Sequence, residues 1–109
     1  MPKLKVEIED KDYLFELDKA AIRKGELNGF SIRKVEDQPM NMTTLLWSIG
    51  LYKHHPNLPY EKSAKLFDKY ADEGGDIAEV IQFLTEQYQS FSLATPEDSK
   101  KVKKAERID

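Results

Sequence analysis

His54 and His55 are the two histidines of this sequence, and no cysteine accompanies them. A metal or acid–base site would therefore have to be built from imidazoles and carboxylates. Adjacent residues on a helix project about 100° apart, whereas a helical metal pair needs positions i and i+4. The pair is thus read as imidazoles beside the negative end of a helix dipole, neither metal ligands nor catalytic groups. Asp68 to Glu79 links two predicted helices and invites comparison with a calcium loop. Tyr70 at its third position, Glu73 where the turn glycine belongs and Gly75 in the apolar position all break that pattern. No GxGxxG, Walker loop, GxSxG or HExxH is found. Glu7/Glu9 and Glu36/Asp37 are the carboxylates of a solvated face or turn; a glycosidase pair would need an enclosing cleft. The residues point to a binding protein with no enzyme site, cofactor or metal.

Apolar side chains off the main stripe of their helices are the better candidates for function. Trp47, Leu51 and Phe83 each occupy such a position. They either face a second layer of the core or line a surface groove for a partner helix or peptide. Trp47 is expected mainly in the core, with Leu51 and Phe83 nearer the contact surface, and the three together form the predicted partner-binding set.

The elements that must position these residues are legible from periodicity. Leu4, Val6 and Ile8 alternate with charged residues, and Tyr13, Phe15 and Leu17 resume the alternation, which predicts a β-hairpin. Its turn lacks the glycine that a tight two-residue turn favours, so a longer loop or a bulge is expected near Glu9 to Asp12. Asp18 caps a helix over Lys19 to Leu27, stapled by Leu17 and Ile22 and ended by Asn28-Gly29. Phe30, Ile32 and Val35 in the following connection are expected to tuck against the core. Asn41 is the predicted cap of the strongest helix, with Met40 and Leu45 as its staple. Met42, Leu45, Leu46, Ile49 and Tyr52 form that helix's main stripe, and Pro56 stops it near His54 or His55. A third helix follows Pro59, with Tyr60, Ala64, Phe67 and Ala71 as its stripe, and Gly74-Gly75 ends it. Asp76 and Glu79 open the last helix as a capping box, followed by Ile77, Val80, Ile81, Leu84 and Tyr88. The predicted fold is α+β, an N-terminal β-hairpin followed by four helices. Residues 1–94 form one domain, and 95–109 form a charged C-terminal tail with too little apolar surface to order itself.

Composition bounds the rest. The 109 residues hold 17 Lys and Arg against 20 Asp and Glu, a net charge of −3. Without a basic block to neutralise phosphates, nucleic acid is not an expected partner; the Lys100-Lys101-Val102-Lys103-Lys104 stretch is interleaved with carboxylates. Leu45 to Tyr52, the longest nearly apolar run, falls well short of the about 20 residues a membrane span needs. Met1 to Lys11 alternates charged and apolar residues and carries no signal-peptide core. A soluble, intracellular-type, single-domain protein is expected.

From residue 3 to about 92 the sequence resembles the small tail assembly chaperones of long-tailed phages and prophages of Gram-positive bacteria. The resemblance is carried by Lys5-Val6-Glu7-Ile8 and Tyr13-Leu14-Phe15-Glu16-Leu17-Asp18, by Asn28-Gly29-Phe30, and by Glu36-Asp37-Gln38-Pro39-Met40. Lys53-His54-His55-Pro56-Asn57 before a proline-led helix is its most specific piece. The turn at Lys11 and the charged stretch after Pro96 depart from the family pattern. The resemblance implies a non-catalytic role in the host cytoplasm, where such proteins hold the aggregation-prone tape measure protein until tail tube subunits polymerise around it. It also implies self-association, with the tape measure protein as partner and the tail tube protein as a further one. Two other classes stand beside this reading: a head–tail connector or minor structural component of the particle, and a small host-directed regulatory binding protein.

Overall fold

The computed structural model describes residues 2–92. It has an antiparallel hairpin, β1 (Leu4–Ile8) and β2 (Lys11–Phe15), and four helices, α1 (Lys19–Leu27), α2 (Pro39–Tyr52), α3 (Tyr60–Asp72) and α4 (Ile77–Ser92), with a single 3₁₀ turn at Ile32–Lys34 between α1 and α2. This is the predicted α+β order. The charged stretch from 95 lies outside the described residues.

The hairpin turn differs from expectation. Ile8 pairs with Lys11 and Val6 with Tyr13, so the loop is two residues long. Glu9 and Asp10 both take positive φ, 51° and 64°, as a type I′ turn requires. Register explains why. This pairing puts Val6, Ile8, Tyr13 and Phe15 on one face, and all four are buried; a slip of one residue would turn half of them to solvent. Core burial thus imposes left-handed backbone on two residues with side chains. Lys69 of α3 ion-pairs Glu9 and ties the turn to the helix layer. Asp10→Gly is expected to relieve the turn and raise stability by about 0.5–1 kcal/mol. A thermal melt should read this as a gain of about 3–5 °C; an unchanged or lower midpoint would show that the turn is unstrained.

The helices begin and end for local reasons. Asp18 accepts the Ala21 amide at 2.8 Å, capping α1. The helix ends in a Schellman arrangement, with Phe30 N–H to Gly25 O at 2.9 Å and Gly29 N–H to Glu26 O at 3.1 Å, and Gly29 holds φ +100°. Phe30 is buried as expected, but Ile32 is 37% exposed. The expected cap of α2 at Asn41 is not used. The helix starts at Pro39, whose fixed φ suits a first turn and whose missing amide needs no acceptor. Met40 is then 66% exposed and forms no staple. The helix also ends at Tyr52, earlier than expected, with Lys53 as its cap. On α3 the buried face is Ser63 and Phe67, flanked by half-buried Leu66 and Tyr70, whereas Tyr60 and Ala71 are exposed. Asp76 takes the Glu79 amide at 3.0 Å to start α4.

The core lies where the hairpin, α2 and α4 meet. Phe15, Leu17, Trp47, Val80 and Leu84 are completely buried. Gly50 is what lets these elements approach: a Cβ there would stand 2.7 Å from Leu84 and 3.1 Å from Phe15. Its carbonyl accepts the Glu16 amide at 2.9 Å, across that same close contact.

Candidate functional site

A groove of about 690 Å³ runs along one face of α2. Met42, Leu45, Ile49 and Tyr52 recur along that face and, with Leu58, form the apolar floor: Met42 and Ile49 are buried at its base, and half-buried Leu45, Tyr52 and Leu58 present its accessible surface. The end of α1 and the start of α2 wall one side. The Pro56–Tyr60 connection, turned back by Pro56 and by Leu58 N–H to His55 O at 3.1 Å, walls the other. Asn28, Gln38, Asn41 and Asn57 set side-chain amides around the rim. Each can donate and accept, which suits the backbone of a bound chain. The charged groups in the lining are Lys24 and Lys34, with no carboxylate among them. Lys24 lies with its Nζ 4.2 Å from the centroid of the Tyr52 ring, a cation–π contact.

A second polar cluster sits where the end of α2 meets the segment after β2. Glu16 is 2% exposed, yet its carboxylate is fully occupied: Lys53 Nζ donates to Oε2 at 2.8 Å and His54 Nε2 lies 3.0 Å from Oε1. The Lys53 hydrogen bond and then the His54 bond outweigh desolvation and hold the Glu16 pKa down at about 2. His55 takes a different partner. Its Nε2 accepts the Leu14 amide at 3.2 Å and its ring packs on Tyr13. An amide N–H only donates, so this nitrogen must be unprotonated. Burial, with the neighbouring His54 and Lys11 charges, lowers the His55 pKa to match. The outward amides of Leu14 in β2 and of Glu16 just after it are therefore both satisfied, by His55 just past α2 and by the Gly50 carbonyl within it. A free sheet edge is covered in the process. The histidines are thus hairpin fasteners, a tertiary role beyond the helix-dipole role expected of them. Among the described residues, no three His, Cys, Asp or Glu side chains gather where they could share a metal ion.

The structure separates the three predicted partner-binding residues. Trp47 is 0% exposed, packed edge-on against Phe15 and Phe67 at 4.7 and 5.3 Å between centroids. Leu51 is 1% exposed, which corrects its expected place near a contact surface. A side chain with no exposed area offers nothing to a partner in this fold. Phe83 is half-buried against the core on α4, away from the groove lining. Trp47 is therefore in the core as expected, and Leu51 joins it there. The face of Trp47 and Leu51 meets the hairpin, α3 and α4, while Met42, Leu45, Ile49 and Tyr52 of the main stripe line the groove and Leu46 is buried. The signal for the groove was present in the stripe's neighbours, the amides and lysines of residues 24–41 and the Pro56–Pro59 connection, but no one-dimensional pattern brings them together.

No curated protein and no solved structure matches the chain. A family model described as "Domain of unknown function (DUF5055)" matches residues 1–108. The chain belongs to that family, and the hairpin, four helices and α2 groove are the form the family takes here.

Proposed function

We propose that this is a non-catalytic binding protein of a phage or prophage that holds a segment of the tape measure protein during tail assembly. The observation that carries this reading is the α2 groove, apolar on its floor and ringed by side-chain amides. Such a surface can take up an aggregation-prone segment by modest contacts and release it again, as a chaperone must. Several such contacts along a long client give retention without tight individual binding. The reading is also supported by the resemblance to tail assembly chaperones carried by the hairpin, the Asn28-Gly29-Phe30 helix end and the Lys53–Asn57 segment. Among the described residues no helix is long and apolar enough to cross a membrane, which is compatible with action in the host cytoplasm. Self-association and contact with the tail tube protein belong to the same proposal.

Co-expression with tape measure fragments tests it. The wild-type chain should co-purify with at least one fragment and be absent from finished virions by mass spectrometry. Leu45→Glu places a carboxylate on the half-buried floor of the groove and should weaken that complex about tenfold or more while the melt stays cooperative. Failure of any tail protein to co-purify would reject the chaperone role. Recovery of the protein from purified virions would favour a connector or minor structural component.

A further inference from the structure

The groove's electrostatics go further than its shape. The chain as a whole carries net charge −3, yet both charged residues lining the groove, Lys24 and Lys34, are cationic and exposed. Neither is ion-paired with a carboxylate among the described residues. Lys24 rests on the Tyr52 ring, which positions its ammonium at the groove without consuming its three donors. We infer that the groove selects peptide segments that combine apolar side chains with carboxylates. The inference rests on the reading of this groove as the client site and specifies what that client must look like. The apolar floor takes the hydrophobic side chains, and the two ammonium groups take Asp or Glu at its margin. From Met42 to Tyr52 the floor spans about 15 Å at the rise of an α-helix, room for about three turns of a client helix laid along α2. The chain's own Lys100, Lys101, Lys103 and Lys104 carry the wrong sign for this groove.

A random-peptide display selection on the full-length chain, at low and at high salt, tests the inference. The wild type should enrich sequences with apolar residues at helical spacing and an excess of Asp and Glu. A recovered acidic peptide should bind about tenfold more tightly than its counterpart with Lys at those positions. The gap should narrow at 0.5 M salt. The double variant Lys24→Glu/Lys34→Glu, both at exposed positions, should still melt cooperatively, a few degrees lower for the lost Lys24–Tyr52 contact, and reverse the preference. Enrichment of neutral or basic peptides, no enrichment, or a preference unmoved by the charge reversal would each overturn the inference. So would a homodimer that dissociates on charge reversal, since a second copy would then be the occupant. Acidic peptides that bind without any tape measure complex would reject the chaperone role and leave this inference standing. A tape measure complex indifferent to the reversal would do the opposite.

Discussion

Replacing Trp47 by alanine is expected to lower stability by about 3–5 kcal/mol, the cost of emptying a large aromatic site in a closed core. Against a total stability of about 5–15 kcal/mol, that change would leave a substantial unfolded population at physiological temperature. The size follows from the packing. The indole is 0% exposed and touches β2 through Phe15 and α3 through Phe67 and Tyr70, so one side chain joins the hairpin to two helices. Its N–H has no partner among the described residues. A buried unmatched donor costs about 1–3 kcal/mol, so the ring is retained for its shape and area in spite of its polar atom. Trp47→Phe keeps the edge-on contacts and removes the donor, and should cost less than about 1.5 kcal/mol. Urea unfolding of the two variants measures both. A midpoint for Trp47→Ala close to wild type, with an unchanged m-value, would contradict the central position of this ring.

Acidification should lower stability in two separable steps, each traceable to one side chain where the hairpin meets the end of α2. His55 acts first. Its pKa in the fold lies below the ordinary 6.5, so the neutral form is the stabilising one. That contribution is complete above pH 6.5 and declines as pH falls, because a proton on Nε2 cancels the hydrogen bond from Leu14. Glu16 acts next. Its pKa is held at about 2 against an ordinary 4.5, so its contribution is complete above pH 4.5 and is lost as pH falls toward 2. Lys53 is 38% exposed and partly screened, which limits the Glu16 loss to about 2 kcal/mol. Melting temperature followed from pH 8 to pH 2 should show both declines. His55→Gln should flatten the upper one. Glu16→Gln should start lower at neutral pH and flatten the lower one, since a buried amide cannot ion-pair with Lys53. An acid limb of Glu16→Gln that parallels wild type would show that the ion cluster carries no pH-dependent stability.

Much of the fold was legible because local signals and burial agreed. The alternation around Val6 and Tyr13, the Asp18 cap, the Asn28-Gly29 helix end and the Asp76 cap each act within a few residues, and each stands in the structure where periodicity put it. The local prediction failed where a distant constraint outweighed it. Turn chemistry alone disfavours positive φ at Glu9 and Asp10, but the requirement that Val6, Ile8, Tyr13 and Phe15 share the core face overrides it. Asn41 is the better capping side chain, but Pro39 needs no acceptor and starts the helix sooner.

The candidate site lay further from the sequence's reach. Periodicity identifies that α2 is apolar on two faces, and nothing in a single helix says which face the hairpin and α4 will take. Gly50 decides it. With no side chain, it admits Phe15 and Leu84 against the Trp47 and Leu51 side of the helix, burying that side completely. The Met42–Tyr52 stripe is left to be walled by α1 and by the Pro56–Tyr60 connection, with an opening between them. Residue types and spacing along the chain determined the order of elements, their caps and the lack of any familiar catalytic motif. Which apolar face stays open, and which charges gather around it, depends on contacts between segments distant in sequence, and so only the tertiary structure decided them.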